Sequence, residues 1–155
     1  MTGSPLRRLL APVVIALALA GCSATNPIQT DKGYAPSDGV RAQFGDIRVE
    51  NLLAVTSAAG AAGALSGALV NSGAADVPVT LTVGSSSQRV TVPAHGSVLM
   101  GTGSSTGRNI PLPTVSAAPG ALLDVQISTP TQGSLDVRVP VLDASNPQYT
   151  AVIGG

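Results

Sequence analysis

Catalysis and metal binding draw on few kinds of side chain, and this chain holds few of them: one histidine, His95, one cysteine, Cys22, and two methionines, Met1 and Met100. A hydrolase needs a nucleophile, a base within hydrogen-bond reach and a group that orients the base. His95 is the one imidazole available, and it falls in Pro93-Ala94-His95-Gly96, a sequence that reads as a tight turn rather than the wall of a cleft. The eight carboxylates, Asp31, Asp38, Asp46, Glu50, Asp76, Asp124, Asp136 and Asp143, are spread over turns and strand edges, which argues for solvation over paired acid–base work. No Asp-x-Asp-x-Asp run offers a calcium loop.

Two patterns carry a sharper implication. Gly101 to Asn109 has the glycine density of a phosphate-cradling loop, but Ile110-Pro111-Leu112-Pro113 follows at once and cannot open the helix that such a loop needs. A flexible surface loop is expected there. His95 and Met100 supply one imidazole and one thioether, the soft donors that copper(I) prefers, and the turn at His95 leads into the strand that holds Met100. The same two residues read equally as a turn residue and a core filler.

The elements that must position these residues begin with an export signal. Arg7 and Arg8 precede an apolar run from Leu9 to Leu19, which is about half the length of roughly 20 residues that a permanent membrane helix requires. Leu19-Ala20-Gly21-Cys22 closes the run and resembles the lipobox of bacterial lipoproteins. That resemblance implies a diacylglyceryl group on the Cys22 thiol and removal of residues 1–21, which leaves the protein anchored by lipid at the extracytoplasmic face of the cell membrane without spanning it. Two or three acyl chains hold durably where one holds only reversibly.

Residues 22–40 are polar and broken by Pro27, Gly33, Pro36 and Gly39, with no period that buries a face, so they read as a tether. As a flexible coil its reach is roughly 20 to 25 Å, enough to clear the lipid headgroups. Residues 41–155 make the folded domain. Aromatic residues are 2% of the chain and charged residues 10%, while 18 glycines and 12 prolines punctuate it, a balance that suits short strands and turns.

Seven runs fit strands: Asp46 to Val55, Ala64 to Val70, Pro78 to Val83, Gln88 to Val92, Ser97 to Met100, Leu122 to Ser128 and Ser134 to Val141, with Tyr149 to Ile153 as an added edge. Alternation in Arg89-Val90-Thr91-Val92 and Asp136-Val137-Arg138-Val139 sets one face on a core and the other in water. The expected fold is all-β, an immunoglobulin-like antiparallel β-sandwich. Ser57 to Gly63, though rich in alanine, has too many glycines for a helix and reads as a loop.

Gln29 to Val40, Leu65 to Gly73, Val90 to Ser97 and Val139 to Leu142 are similar to segments of small actinobacterial lipoproteins, the LpqE-like group. Through that group the domain also resembles the periplasmic copper chaperones called PCuAC, small β-sandwiches that carry copper. Their ligand pattern of two histidines and two or three methionines is matched here only by His95 and Met100.

Five arginines of the mature chain, Arg41, Arg48, Arg89, Arg108 and Arg138, are scattered singly and the formal net charge is zero, so no basic stripe exists for a nucleic acid. The sequence thus points to a non-catalytic binding or scaffolding module with no cofactor, partnered by an envelope protein. Loops Gly101 to Leu112 and Ala144 to Gln148 are its expected contact surfaces. Copper(I) carriage through His95 and Met100 is the alternative.

Overall fold

A computed structural model describes residues 38–101, 107–147, 149 and 152. They lie in a compact unit bounded by Ala35 and Gly155. The lipobox residues Leu19, Ala20 and Gly21, the proposed lipid site Cys22 and nearly all of the tether fall outside the described residues. Among the described residues no helix is long and apolar enough to cross a membrane.

Nine strands follow one another: β1 (Val40–Phe44), β2 (Ile47–Thr56), β3 (Gly63–Asn71), β4 (Val77–Val83), β5 (Ser86–Val92), β6 (Ser97–Met100), β7 (Ile110–Leu112), β8 (Leu122–Thr129) and β9 (Gly133–Asp143). All seven expected runs are strands. β1 and β7 are additional, and β1 starts at Val40, the last residue read as tether. The strand path β5-β4-β8-β9-β2-β3-β6 wraps into a nearly closed sandwich, with β1 on β2 and β7 on β3.

One sheet is built on β4, β5, β8 and β9, all antiparallel. In it β4 alternates without fault, Val77, Val79, Leu81 and Val83 inward and Pro78, Thr80 and Thr82 outward. The other sheet is built on β1, β2, β3, β6 and β7. β9 joins the two. It pairs antiparallel with β8 from Gly133 to Pro140, then its end, Val141 to Asp143, runs parallel beside Ala54 to Thr56 of β2. The wholly antiparallel sandwich expected from sequence therefore has one parallel seam.

β2 changes face midway. Asn51 takes a left-handed backbone (φ 53°) and interrupts the register with β3 between Glu50 and Leu53. Such a bulge adds one residue to the strand, so the inward positions Ile47 and Val49 are continued by Leu52 and Ala54. Leu53 and Val55 then point to the outer face. They are still buried, because Ala64, Ala144 and Val152 pack over them with Tyr149 and Leu142. That covering segment corrects the expected edge strand: Tyr149 and Val152 are helical, three residues apart on one helical face, where a strand would put them on opposite sides. Pro147, also helical, suits the first turn because its missing N–H has no partner to lose there.

Candidate functional site

The loops at one end of the sandwich are held by a buried amide. Asn71 is 1% exposed at the end of β3. Its Nδ2 donates to the carbonyls of Ala75 (2.7 Å), Pro93 (3.2 Å) and Val92 (3.3 Å), and its Oδ1 accepts from the Gly73 N–H (2.9 Å). An asparagine is suited to this, since one side chain offers donors and acceptors on opposite sides. The β3–β4 loop and the β5–β6 turn are fastened to each other through it.

His95 occupies that turn. Its backbone is left-handed (φ 51°), its N–H donates to Gly73 O (3.0 Å), and Gly96 N–H closes the turn on Pro93 O (3.1 Å). Its imidazole is exposed. Met100 stands at the far end of β6, paired with Gly67 and 4% exposed within the main core. Three residue steps lead from Ser97 to Met100, a rise of roughly 10 Å. The structure therefore places the two candidate ligands apart, one in water and one in the core. Among the described residues no three of His, Cys, Asp and Glu gather as a metal site would require.

The carboxylates are occupied singly with local ties. Asp46 Oδ2 accepts from Gln132 Nε2 (3.0 Å), Asp76 Oδ1 from Ala94 N–H (2.9 Å), and Asp136 Oδ1 from Gln126 Nε2 (3.0 Å). Glu50 is shared by Arg41 (2.5 Å) and Arg48 (3.9 Å). The Asp143 carboxylate is held below its ordinary pKa by the Ser145 N–H, with the Ser145 hydroxyl adding to the effect. Asp38 accepts a short hydrogen bond from the Tyr149 hydroxyl, and that bond, more than burial, pushes the phenol above its ordinary pKa. Asp46, Asp76 and Asp143 thus fasten turns, Asp38 a chain end, and Glu50 and Asp136 tie neighbouring strands.

The glycine-rich segment also has its ends in view, although residues 102–106 lie outside the described set. Arg108 N–H donates to Leu99 O (2.8 Å) and Gly101 N–H donates to Arg108 O (3.0 Å), so the chain returns to β6 where it left it. It continues as β7, with no helix N-terminus to face an anion.

Of the open grooves on the surface, two adjoin residues named above. One, about 640 Å³, is lined by Val83 to Ser86, Pro113, Thr114, Ser116 and Leu122 to Asp124. Leu122 there is 54% exposed, the largest exposure of any big apolar side chain among the described residues. Sequence reasoning missed it, although alternation with buried Leu123 and Val125 already sets Leu122 on the wet face. The other, about 490 Å³, lies at the Asn71 end beside Asp46, Asp76 and Gln132.

No protein-family model matches the chain, and no curated protein matches it. Solved structures do. The copper-bound PCuAC domain from PmoF2 superposes with a TM-score of 0.53 at 15% identity, covering 67% of this chain and 98% of that one. The apo PmoF2 PCuAC domain gives 0.54 at 14% identity, covering 68% and 97%. The apo PCuAC domain from PmoF1 gives 0.54 at 12% identity, covering 66% and 98%. The chain has the all-β fold of these PCuAC domains, and at such identity the likeness is one of fold.

Proposed function

We propose that this chain is a non-catalytic binding module, anchored at the extracytoplasmic face of the membrane through a lipid on Cys22, that engages an envelope protein. The observation that carries the reading is how the polar side chains are used. Asn71, Asp46, Asp76 and Asp143 are occupied in fastening loops. What the domain offers outward is surface: an exposed Leu122 in an open groove and a strand, β5, that pairs with β4 alone among the described strands. The similarity of its segments to small actinobacterial lipoproteins fits that placement. Photo-crosslinking in intact cells tests it, with a crosslinking side chain at surface positions of the full-length protein. Capture of one envelope protein from a defined face is the expected result, and a uniform absence of adducts would overturn the reading.

Copper(I) carriage is the second reading, favoured by the fold likeness to a copper-bound domain. The donors present do not fit it well. Copper(I) needs converging soft ligands, yet His95 faces water and Met100 is buried, and the chain has no other histidine. Anaerobic titration of the full chain with copper(I) decides between the two. Tight uptake of about one equivalent would establish carriage, whereas uptake no tighter than that of a histidine-free variant leaves partner binding.

A further inference from the structure

The strand path begins at β5 and ends at β6, so the wrapped sheet stays open between those two strands. Its edges are finished in different ways. Beside β6 the main chain of Arg108 bonds at Met100, and β7, interrupted by Pro111, continues along β3. β1 is five residues long, has an irregular register with β2 and carries an ion-paired Arg41. β5 has no bulge, proline or ion pair among the described residues, and its one charge is Arg89. Its seven residues, Ser86 to Val92, pair with β4 in unbroken register, contain no proline, and pair with no other described strand. In an antiparallel ladder every second residue turns its N–H and C=O away from the partner. Sheets generally blunt such a row with bulges, prolines or charges, because a bare one is a template for another strand.

We infer that the open edge of β5 is the recognition surface, taking an extended segment of a partner protein as an added strand with a carboxylate set against Arg89. The inference rests on the binding-module reading and names the partner's chemistry. Ser87, Arg89 and Thr91 are the exposed side chains of β5, while Val90 and Val92 are buried in the core. Arg89 is the only charge on the strand and stands at its centre. Across the sheet its row continues through Thr80 to Ser128, both neutral, and no described carboxylate pairs with it. An acidic side chain directly opposite on an incoming strand would supply the missing countercharge, whereas a basic one would be repelled. The same charge disfavours a second copy of this chain: two β5 strands paired about their midpoints would set Arg89 against its symmetry mate. Main-chain bonds would give the affinity and the Arg89 row the selectivity, the division of labour seen generally in strand addition.

The test uses the full-length protein in detergent and two blocked nonapeptides of alternating threonine and valine, one with a central glutamate and one with a central lysine. Amide hydrogen exchange is read along the chain. The glutamate peptide should slow exchange at alternate residues of Ser86 to Val92 by about tenfold or more, and the lysine peptide by clearly less. Arg89→Glu should reverse the order of the two peptides, a result that generic stickiness would not produce. Equal slowing by both peptides, no slowing within β5, or slowing that rises with protein concentration and needs no peptide would each overturn the inference, the last by making a second copy the occupant. In cells, a crosslinker at Ser87 is compared with one at Ser116 in the Leu122 groove. Adducts from Ser87 are expected; adducts from Ser116 alone would sink the β5 surface while leaving the binding-module reading intact, and none from either would sink both.

Discussion

Gly67 of β3 lies against the Asn51 bulge of β2 so closely that a Cβ on it would stand 2.9 Å from Asn51 O and 2.9 Å from Glu50 O. The bulge is what turns Leu52 and Ala54 inward, so the space left by this glycine is a condition for the inner face of β2. Gly67 also has φ +144°, which side-chain-bearing residues rarely adopt. Gly67→Ala should therefore destabilise the domain by about 2 to 4 kcal/mol, through both clash and strain. Gly120 is the control, since it has φ +89° but nothing within 4 Å of a Cβ. Gly120→Ala should cost only the backbone term, about 1 kcal/mol. Thermal melting of the two variants checks the order, and equal losses would count against the packing argument.

Asn71→Leu removes the donors and the acceptor that serve Gly73, Ala75, Val92 and Pro93. Leaving buried polar groups unpaired costs about 1 to 3 kcal/mol each where water cannot reach them, so a loss of at least about 2 kcal/mol is expected by urea denaturation. Asn71→Asp separates donor from acceptor. The new carboxylate can still accept from Gly73 but faces three carbonyls when ionised, so its folded pKa is raised. Its proton is held more tightly in the folded state, and the variant should be most stable below the unfolded carboxylate pKa of about 3.9, losing stability as pH rises through the folded value. A flat profile would contradict this.

His95→Ala should change stability by less than about 0.5 kcal/mol, because the exposed imbidazole position contributes through its main-chain bond. Met100→Leu should cost below about 1.5 kcal/mol and Met100→Ala about 2 to 5 kcal/mol, as for a core side chain. Melting with and without copper(I) adds the functional readout. No metal-dependent rise is expected in the wild type; a rise lost in both His95→Ala and Met100→Leu would favour copper carriage.

The Tyr149 hydroxyl bonds to Asp38, linking residues at the two ends of the described domain. The phenol pKa is raised by that bond, so the folded state holds the proton more tightly than the unfolded chain does. The resulting stabilisation is fully present below the ordinary value of 10.0 and is lost as pH rises through the folded value. Tyr149→Phe should remove this part of the alkaline loss. Melting between neutral and strongly alkaline pH checks it, and an unchanged slope in the variant would refute the contribution.

Lipidation is tested directly. A palmitate analogue fed to cells should label the wild type and not Cys22→Ser, and equal labelling of both would end the anchor proposal.

Strands whose alternation ran through several turns' worth of sequence were legible: β4, β5, β8 and β9 each repeat an apolar inward residue at period two. β1 alternates for only five residues directly after a stretch rich in glycine and proline, too short a run to stand out as a strand. β7 is three residues around Pro111, too short to show any period. Leu52 to Val55 read as continuous apolar strand without showing why both faces are covered, because the Asn51 bulge and the segment over Leu53 and Val55 arise from contacts distant in sequence. Tyr149 to Ile153 has β-branched residues and was expected to be an edge; packing of Tyr149 and Val152 onto one outer face prevails over that propensity. At the candidate site, His95 was readable as a turn residue and Met100 as a core filler, since a single pair of residues carries both roles. The free edge of β5 was not readable, because which strand lacks a neighbour depends on the whole topology.

β9 lends its two ends to different sheets, and this bears on how the domain comes apart. Val141 accepts from Gly120 N–H (2.8 Å) and donates to Ala121 O (2.9 Å) on one side, while it is paired with Ala54 on the other. Neither sheet can peel from the core without breaking a strand that the other also uses, so transient openings should be confined to loops and chain ends. The most protected amides of β4 and β8 should then share one opening free energy with those of β2 and β3, as members of a single cooperative unit. The same junction sets a kinetic cost, for Ala54 and Val141 are far apart along the chain and their contact closes a long loop. Until β9 seats, both half-built sheets would stay open to proteases.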